Sequence, residues 1–135
     1  MAQTLHVFSG NFSSGEEARA YSEEQWEQPA PDDSWSDEAY AAWEDRNPTW
    51  TLDDDLDVEY MDSDFIETIR GGDRLEYLET QLADSNDGSK LRGLIPVEDN
   101  TLVLIMSAAF DGKKVSLSST PKLRYHGQYL WNASG

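Results

Sequence analysis

The sequence predicts an α+β fold: a mixed or mostly antiparallel sheet covered by two to three helices. Three observations carry this. Short alternating segments stand near both ends of the chain, an apolar run at Thr101–Met106 suits a central strand, and helix-spaced segments with capping signals lie between them. A parallel βαβ arrangement is the alternative. The 135 residues fit one domain, 1–135, and 38% hydrophobic content with five Trp, six Tyr and four Phe supplies a core. An acidic disordered tail would have few aromatics.

Leu5 and Val7 alternate with His6 and Phe8, which predicts a strand over 4–8, ended by Gly10 and Asn11. Ser13 and Ser14, each followed three residues later by Glu16 and Glu17, are overlapping capping boxes, and predict a helix to about Trp26 with Ala18, Tyr21 and Trp26 on its apolar face. Pro29 and Pro31 make 28–33 a loop. A second helix starts near Ser34 or Ser36 and stops before Pro48. Trp50 and Leu52 read as a short extended piece. Leu56, Val58 and Tyr60 alternate with Asp57, Glu59 and Met61, which predicts a strand with one acidic face.

Gly71-Gly72 reads as a turn, and Leu75, Leu78 and Leu82 mark a third helix, ended by Asn86-Asp87-Gly88-Ser89. Thr101–Met106 is apolar on both faces. Asp111-Gly112 signals a hairpin, followed by strands at Val115–Leu117 and Leu123–Tyr125. One internal echo stands out: Phe8-Ser-Gly-Asn-Phe12 and Tyr125-His-Gly-Gln-Tyr129 share the pattern aromatic, any, Gly, amide, aromatic. Such glycines mark bulges or close backbone approaches, so the two ends pair as neighbouring strands unless the echo is coincidence.

Ten Lys+Arg against 27 Asp+Glu give a formal charge of −17. The acidity is confined to the middle of the chain. Glu16–Asp87 holds 24 acids against Arg19, Arg46, Arg70 and Arg74, a net −20, whereas 88–135 is net +3. Direct nucleic-acid and anionic-membrane binding are disfavoured, because both rest on basic residues. With no cysteine there are no disulfides, thiolate nucleophiles or Cys-ligated metals. The start of the chain lacks a signal-peptide pattern, and no apolar run approaches the roughly 20 residues that span a bilayer. The expectation is a soluble, cytoplasmic protein.

Only His6 and His126 supply imidazoles, and no H-E-x-x-H, G-x-S-x-G, Walker A or G-x-G-x-x-G pattern occurs. Both histidines lie in strand segments rich in aromatics, where packing is the simpler role, although paired ends would bring them close. The carboxylates from Asp53 resemble a calcium loop but place Val58 where the turn needs Gly and Asp64 where a bidentate Glu belongs. No metal and no cofactor are expected. Carboxylate pairs suit acid/base catalysis, but abundant Asp and Glu make such pairs commonplace; an enzyme would need a concave pocket holding a carboxyl with a raised pKa.

Seven acids within Asp53–Asp64 repel one another, a cost that solubility does not require. Interleaved with Trp50, Tyr60 and Phe65, they read as a face for a basic partner: aromatics give contact area, carboxylates give steering. The candidate partner-binding residues are Trp43, Trp50, Asp53, Asp54, Asp55, Asp57, Glu59, Tyr60, Asp62, Asp64 and Glu67, with no catalytic residue among them.

The segments His6–Phe12, Glu59–Glu67, Asn100–Met106 and Leu123–Tyr129, taken in order, resemble the immunity protein 22 family of bacterial polymorphic toxin systems. Tyr60–Glu67 resembles that family's aromatic-Asp-x-Asp-Phe-x-Glu signature, while the Pro- and Trp-rich insert over Gln28–Trp50 departs from it. The resemblance implies a non-enzymatic α+β protein that binds and neutralises a cognate toxin domain. A basic toxin fits the acidic face, and a nuclease fits best, since it carries a cationic groove. The alternative is an acidic nucleic-acid mimic that regulates a host DNA-binding protein.

Overall fold

The computed structural model describes residues 3–111 and 113–132. Strand β1 (Thr4–Gly10) leads to α1 (Gly15–Ser22), α2 (Asp37–Arg46), α3 (Thr51–Leu56) and a 3-10 turn at Ser63–Phe65. Then come β2 (Ile66–Arg70), α4 (Arg74–Gln81), α5 (Ser85–Leu94), β3 (Thr101–Met106), a second 3-10 turn at Ser107–Phe110, and β4 (Arg124–Leu130). The four strands form one sheet in the order β2-β3-β1-β4, with every neighbouring pair antiparallel. The fold is therefore α+β, with the antiparallel form of the sheet. No helix among the described residues is long and apolar enough to cross a membrane.

The sheet is buried on both faces because β1 and β3 are apolar on both. Phe8, Val103 and Ile105 join Ala18 and Tyr21 of α1 and Leu52 and Leu56 of α3 in one core. Leu5, Val7, Leu102 and Leu104 join Leu78 of α4 and Leu91 of α5 in the other. The apolar run Thr101–Met106 is thus an interior strand, as its sequence predicts.

The echo between the two ends is structural: β1 pairs with β4, setting Phe8 opposite Tyr125, their rings 4.8 Å apart. Its two glycines do different jobs. Between His6 and Phe8 the register slips where Gly127 adopts φ +109, the mark of a bulge. At Gly10, an added Cβ would stand 2.5 Å from the Lys122 carbonyl oxygen, so only glycine permits that approach.

Several predicted elements differ. The first helix ends at Ser22, short of Trp26, because the chain turns extended at Glu23 and Gln25 pairs with Thr49. The region read as an extended piece and a strand over 50–60 is instead α3, then Asp57 in the left-handed conformation, then irregular chain. Leu52 and Leu56, four apart, bury one helical stripe, and this outweighs the alternation beyond them. The segment read as a terminator at 86–89 opens α5: the Asp84 side chain accepts from the Asn86 N–H, and Gly88, Leu91 and Ile95 form the buried face. Strand β2 was not expected, and 115–117 has no strand. Of the predicted Asp111-Gly112 hairpin, Gly112 lies outside the described residues; Asp111 has φ +53 and caps the second 3-10 turn.

Candidate interaction surface

Helix α3 is short and its first turn carries Asp53 and Asp54, whose charges complement the free N–H groups of the helix start. Leu52 and Leu56 anchor it to the core, which leaves Thr51, Asp54 and Asp55 exposed. Asp54 is exposed and makes no ion pair among the described residues. Asp53 is half-buried, and burial, reinforced by the charges of Asp54 and Glu24, pushes its carboxyl above the ordinary range. Asp55 accepts a 2.7 Å hydrogen bond from the Tyr21 hydroxyl, which reaches through from α1. Burial, with a further contribution from Asp55, raises the Tyr21 phenol well above its ordinary value.

After Asp57, the chain exposes Glu59 and Tyr60, returns to the core at Met61, and makes the 3-10 turn that exposes Asp64 and Phe65. Asp62 caps that turn by accepting from the Asp64 N–H, and its own N–H donates to the Ala109 carbonyl. The Lys113 amine lies 3.8 Å from Glu59, an ion pair open to solvent. None of Asp53, Asp54, Asp55, Asp57, Asp62 and Asp64 has an ion-pair partner among the described residues.

Three of the sequence-predicted residues lie apart from this face. Glu67 stands on the opposite side of β2, where it accepts from the Tyr77 hydroxyl of α4 at 2.5 Å and holds that phenol up to about 12. Trp50 packs against the α1/α3 core and donates its ring N–H to the Ser22 carbonyl. Trp43 is the one buried residue of α2, stacked on Trp26 with ring centroids 5.6 Å apart. The remaining candidate residues lie on α3, in the chain after it and on the 3-10 turn, where Tyr60 and Phe65 are the exposed aromatics.

The insert is an outlying arm. It is closed at its root by the Gln25–Thr49 backbone pair, the Trp26–Trp43 stack and the Arg46–Glu27 ion pair at 2.9 Å. Neither core includes a residue of α2. Trp26 and Tyr40 are left about half exposed on it. The sequence places Trp26 on the first helix and Tyr40 on the second, and marks neither as a binding residue. The available signal was a tryptophan at either side of a proline-bounded insert.

The histidines do not converge. His6 lies between Phe110 and Tyr125 on the α1/α3 side, its Nδ1 2.8 Å from the Tyr125 hydroxyl, and burial lowers its pKa to about 4. His126 contacts Ser9, which alternation along β1 places on the other face. Ser9 Oγ donates to Asp99 Oδ2 at 2.7 Å and lies 2.7 Å from His126 Nε2, while Arg124 Nε reaches the same Asp99 oxygen at 3.1 Å. A Ser, a His and an Asp are present, but the serine sits between the other two and is fully buried. In a nucleophilic triad the histidine occupies the middle and the serine faces substrate. This cluster instead fastens β1, β4 and the loop before β3. Among the described residues no group of three or more acidic or imidazole side chains is placed to hold a metal ion.

No protein-family model, curated protein or solved structure matches the chain. The reading of function therefore rests on the residues and their arrangement.

Proposed function

We propose that the protein is a non-enzymatic binder that neutralises a basic toxin domain, as its resemblance to the immunity protein 22 family implies, and that the partner docks on the face formed by α3 and the Ser63–Phe65 turn. The observation that carries this reading is a run of seven carboxylates, Asp53–Asp64, of which Glu59 alone has an ion-pair partner among the described residues. Two arginines of the acidic half are engaged elsewhere: Arg70 bonds Thr101 Oγ1 and the Phe12 carbonyl, and Arg74 holds the carbonyls of Gly71, Val97 and Asp99. A surface left unneutralised in this way gains most from a cationic partner, whose approach it accelerates. A nuclease domain, with its groove for phosphates, offers the complementary charge.

The test is co-expression with the toxin domain encoded beside the gene. The informative variant is Asp54→Lys, Glu59→Lys, Asp64→Lys, because these side chains are exposed and none caps a turn or accepts a bond from the core. Asp55, Asp57 and Asp62 are unsuitable, being tied to Tyr21, a left-handed cap and a turn cap. Cells carrying the triple variant should lose protection while the purified chain keeps its fold. Full protection by the triple variant would overturn the assignment of the face. If the neighbouring gene encodes no toxin and the chain instead captures a host DNA-binding protein, the mimic reading replaces it.

A further inference from the structure

We propose that the cleft at the root of the arm is a receptor for an arginine side chain presented by the protein partner, an inference that rests on the reading of a basic partner above. The cleft has a volume of about 290 Å³ and is lined by Ser22, Glu23, Glu24, Trp26, Ser63 and Ile66. No lysine or arginine is in that lining.

Each wall matches one part of an arginine side chain. Trp26 is 50% exposed while its ring is held by the stack on Trp43, so its indole is fixed in orientation and remains open to a ligand. A planar guanidinium stacks on such a ring and is attracted by its negative face. Glu24 is already oriented, since Ser63 Oγ donates to its Oε1 at 2.6 Å, and Glu23 next to it has no ion-pair partner among the described residues. An oriented carboxylate beside an open indole suits the flat, forked guanidinium of arginine better than the single ammonium of lysine, and Glu23, also in the lining, adds negative charge to the cleft. Ile66 adds an apolar surface for the methylene stem.

The cleft is also continuous with the proposed docking face. Glu24 is near enough to Asp53 to raise that carboxyl, and Ser63 belongs to the turn that carries Asp64 and Phe65. A partner seated on α3 therefore brings its neighbouring side chains to the cleft mouth. This commits the occupant to a residue of the docked protein rather than to a free metabolite.

The test is an NMR titration of the isotope-labelled chain with the blocked peptide Gly-Arg-Gly-Arg-Gly and its lysine counterpart. The Trp26 indole N–H and the Ser63 and Ile66 amides should shift saturably, and the arginine peptide should bind more tightly than the lysine one. Glu23→Gln with Glu24→Gln preserves shape and should weaken the arginine peptide by about tenfold. Asp54→Asn with Asp64→Asn removes the same charge outside the cleft and should weaken it by only about twofold. Equal losses in the two double variants, shifts centred on α3 instead of the cleft, or no preference for arginine would each overturn the proposal. Toxin protection is scored separately. Cleft-centred arginine binding by a chain that protects against no toxin would uphold the cleft and overturn the functional reading, whereas protection without cleft binding would do the reverse.

Discussion

His6 is 2% exposed, edge-on to Phe110 at 5.7 Å and bonded to the Tyr125 hydroxyl, a setting that disfavours the imidazolium. Its folded pKa of about 4 lies below the ordinary 6.5, so between those values the unfolded chain binds a proton that the folded chain refuses. Stability from this residue is complete above pH 6.5 and is lost as pH falls toward 4, by on the order of 2–3 kcal/mol. His6→Phe keeps the ring contact and removes the titration. The urea midpoint of the wild type should fall relative to that of the variant as pH drops through that window, because the carboxylates common to both cancel in the difference. Parallel curves would contradict the burial argument. At this scale the sequence was legible where pattern met geometry: the aromatic-Gly echo predicts the β1–β4 pairing. It was silent on the Ser9–Asp99–His126 cluster, whose members are 90 and 117 positions apart in the chain.

Among the elements, those whose apolar spacing and end signals agreed were readable. Ser36 does cap α2, its side chain accepting from the Ala39 N–H, and Leu78 and Leu82 do bury the face of α4 and its cap. Helix α5 was hidden because its first turns hold Asn86, Asp87, Gly88 and Ser89, poor helix formers by propensity. Packing overrides them, with Gly88 so close to α4 that an added Cβ would meet the Glu79 side chain at 3.0 Å. The arm behaves as a separate unit, since its helix buries one residue and joins neither core. Trp43→Ala should therefore expose the α2 amides to rapid hydrogen exchange while β1 and β3 keep their protection. Exchange that rises together in α2 and in the sheet would show that the arm supports the core after all.

For the whole molecule, the decisive quantity is where the charge sits and what opposes it. Among the described residues there are four ion pairs, Arg46–Glu27, Arg92–Glu79, Lys113–Glu59 and Arg124–Asp99, and one of these touches the α3 face. Self-repulsion then opposes folding, and salt screens it. The urea midpoint should rise between about 0.01 M and about 0.3 M sodium chloride, and a fall would mean that attractive pairs outweigh repulsion. The acidic segment was visible in the sequence. Its division was not, because Glu67 crosses to the α4 side and Trp43 and Trp50 turn inward only once the sheet and the arm are formed.

The claim that this charge serves a basic partner is tested most directly by stopped-flow association of the purified chain with the toxin domain across a salt series. The wild-type chain should associate rapidly, with a rate that falls steeply as salt rises, and Asp54→Lys, Glu59→Lys, Asp64→Lys should slow association by about tenfold or more and flatten that dependence. An association rate that is indifferent to salt and unchanged in the triple variant would contradict the account.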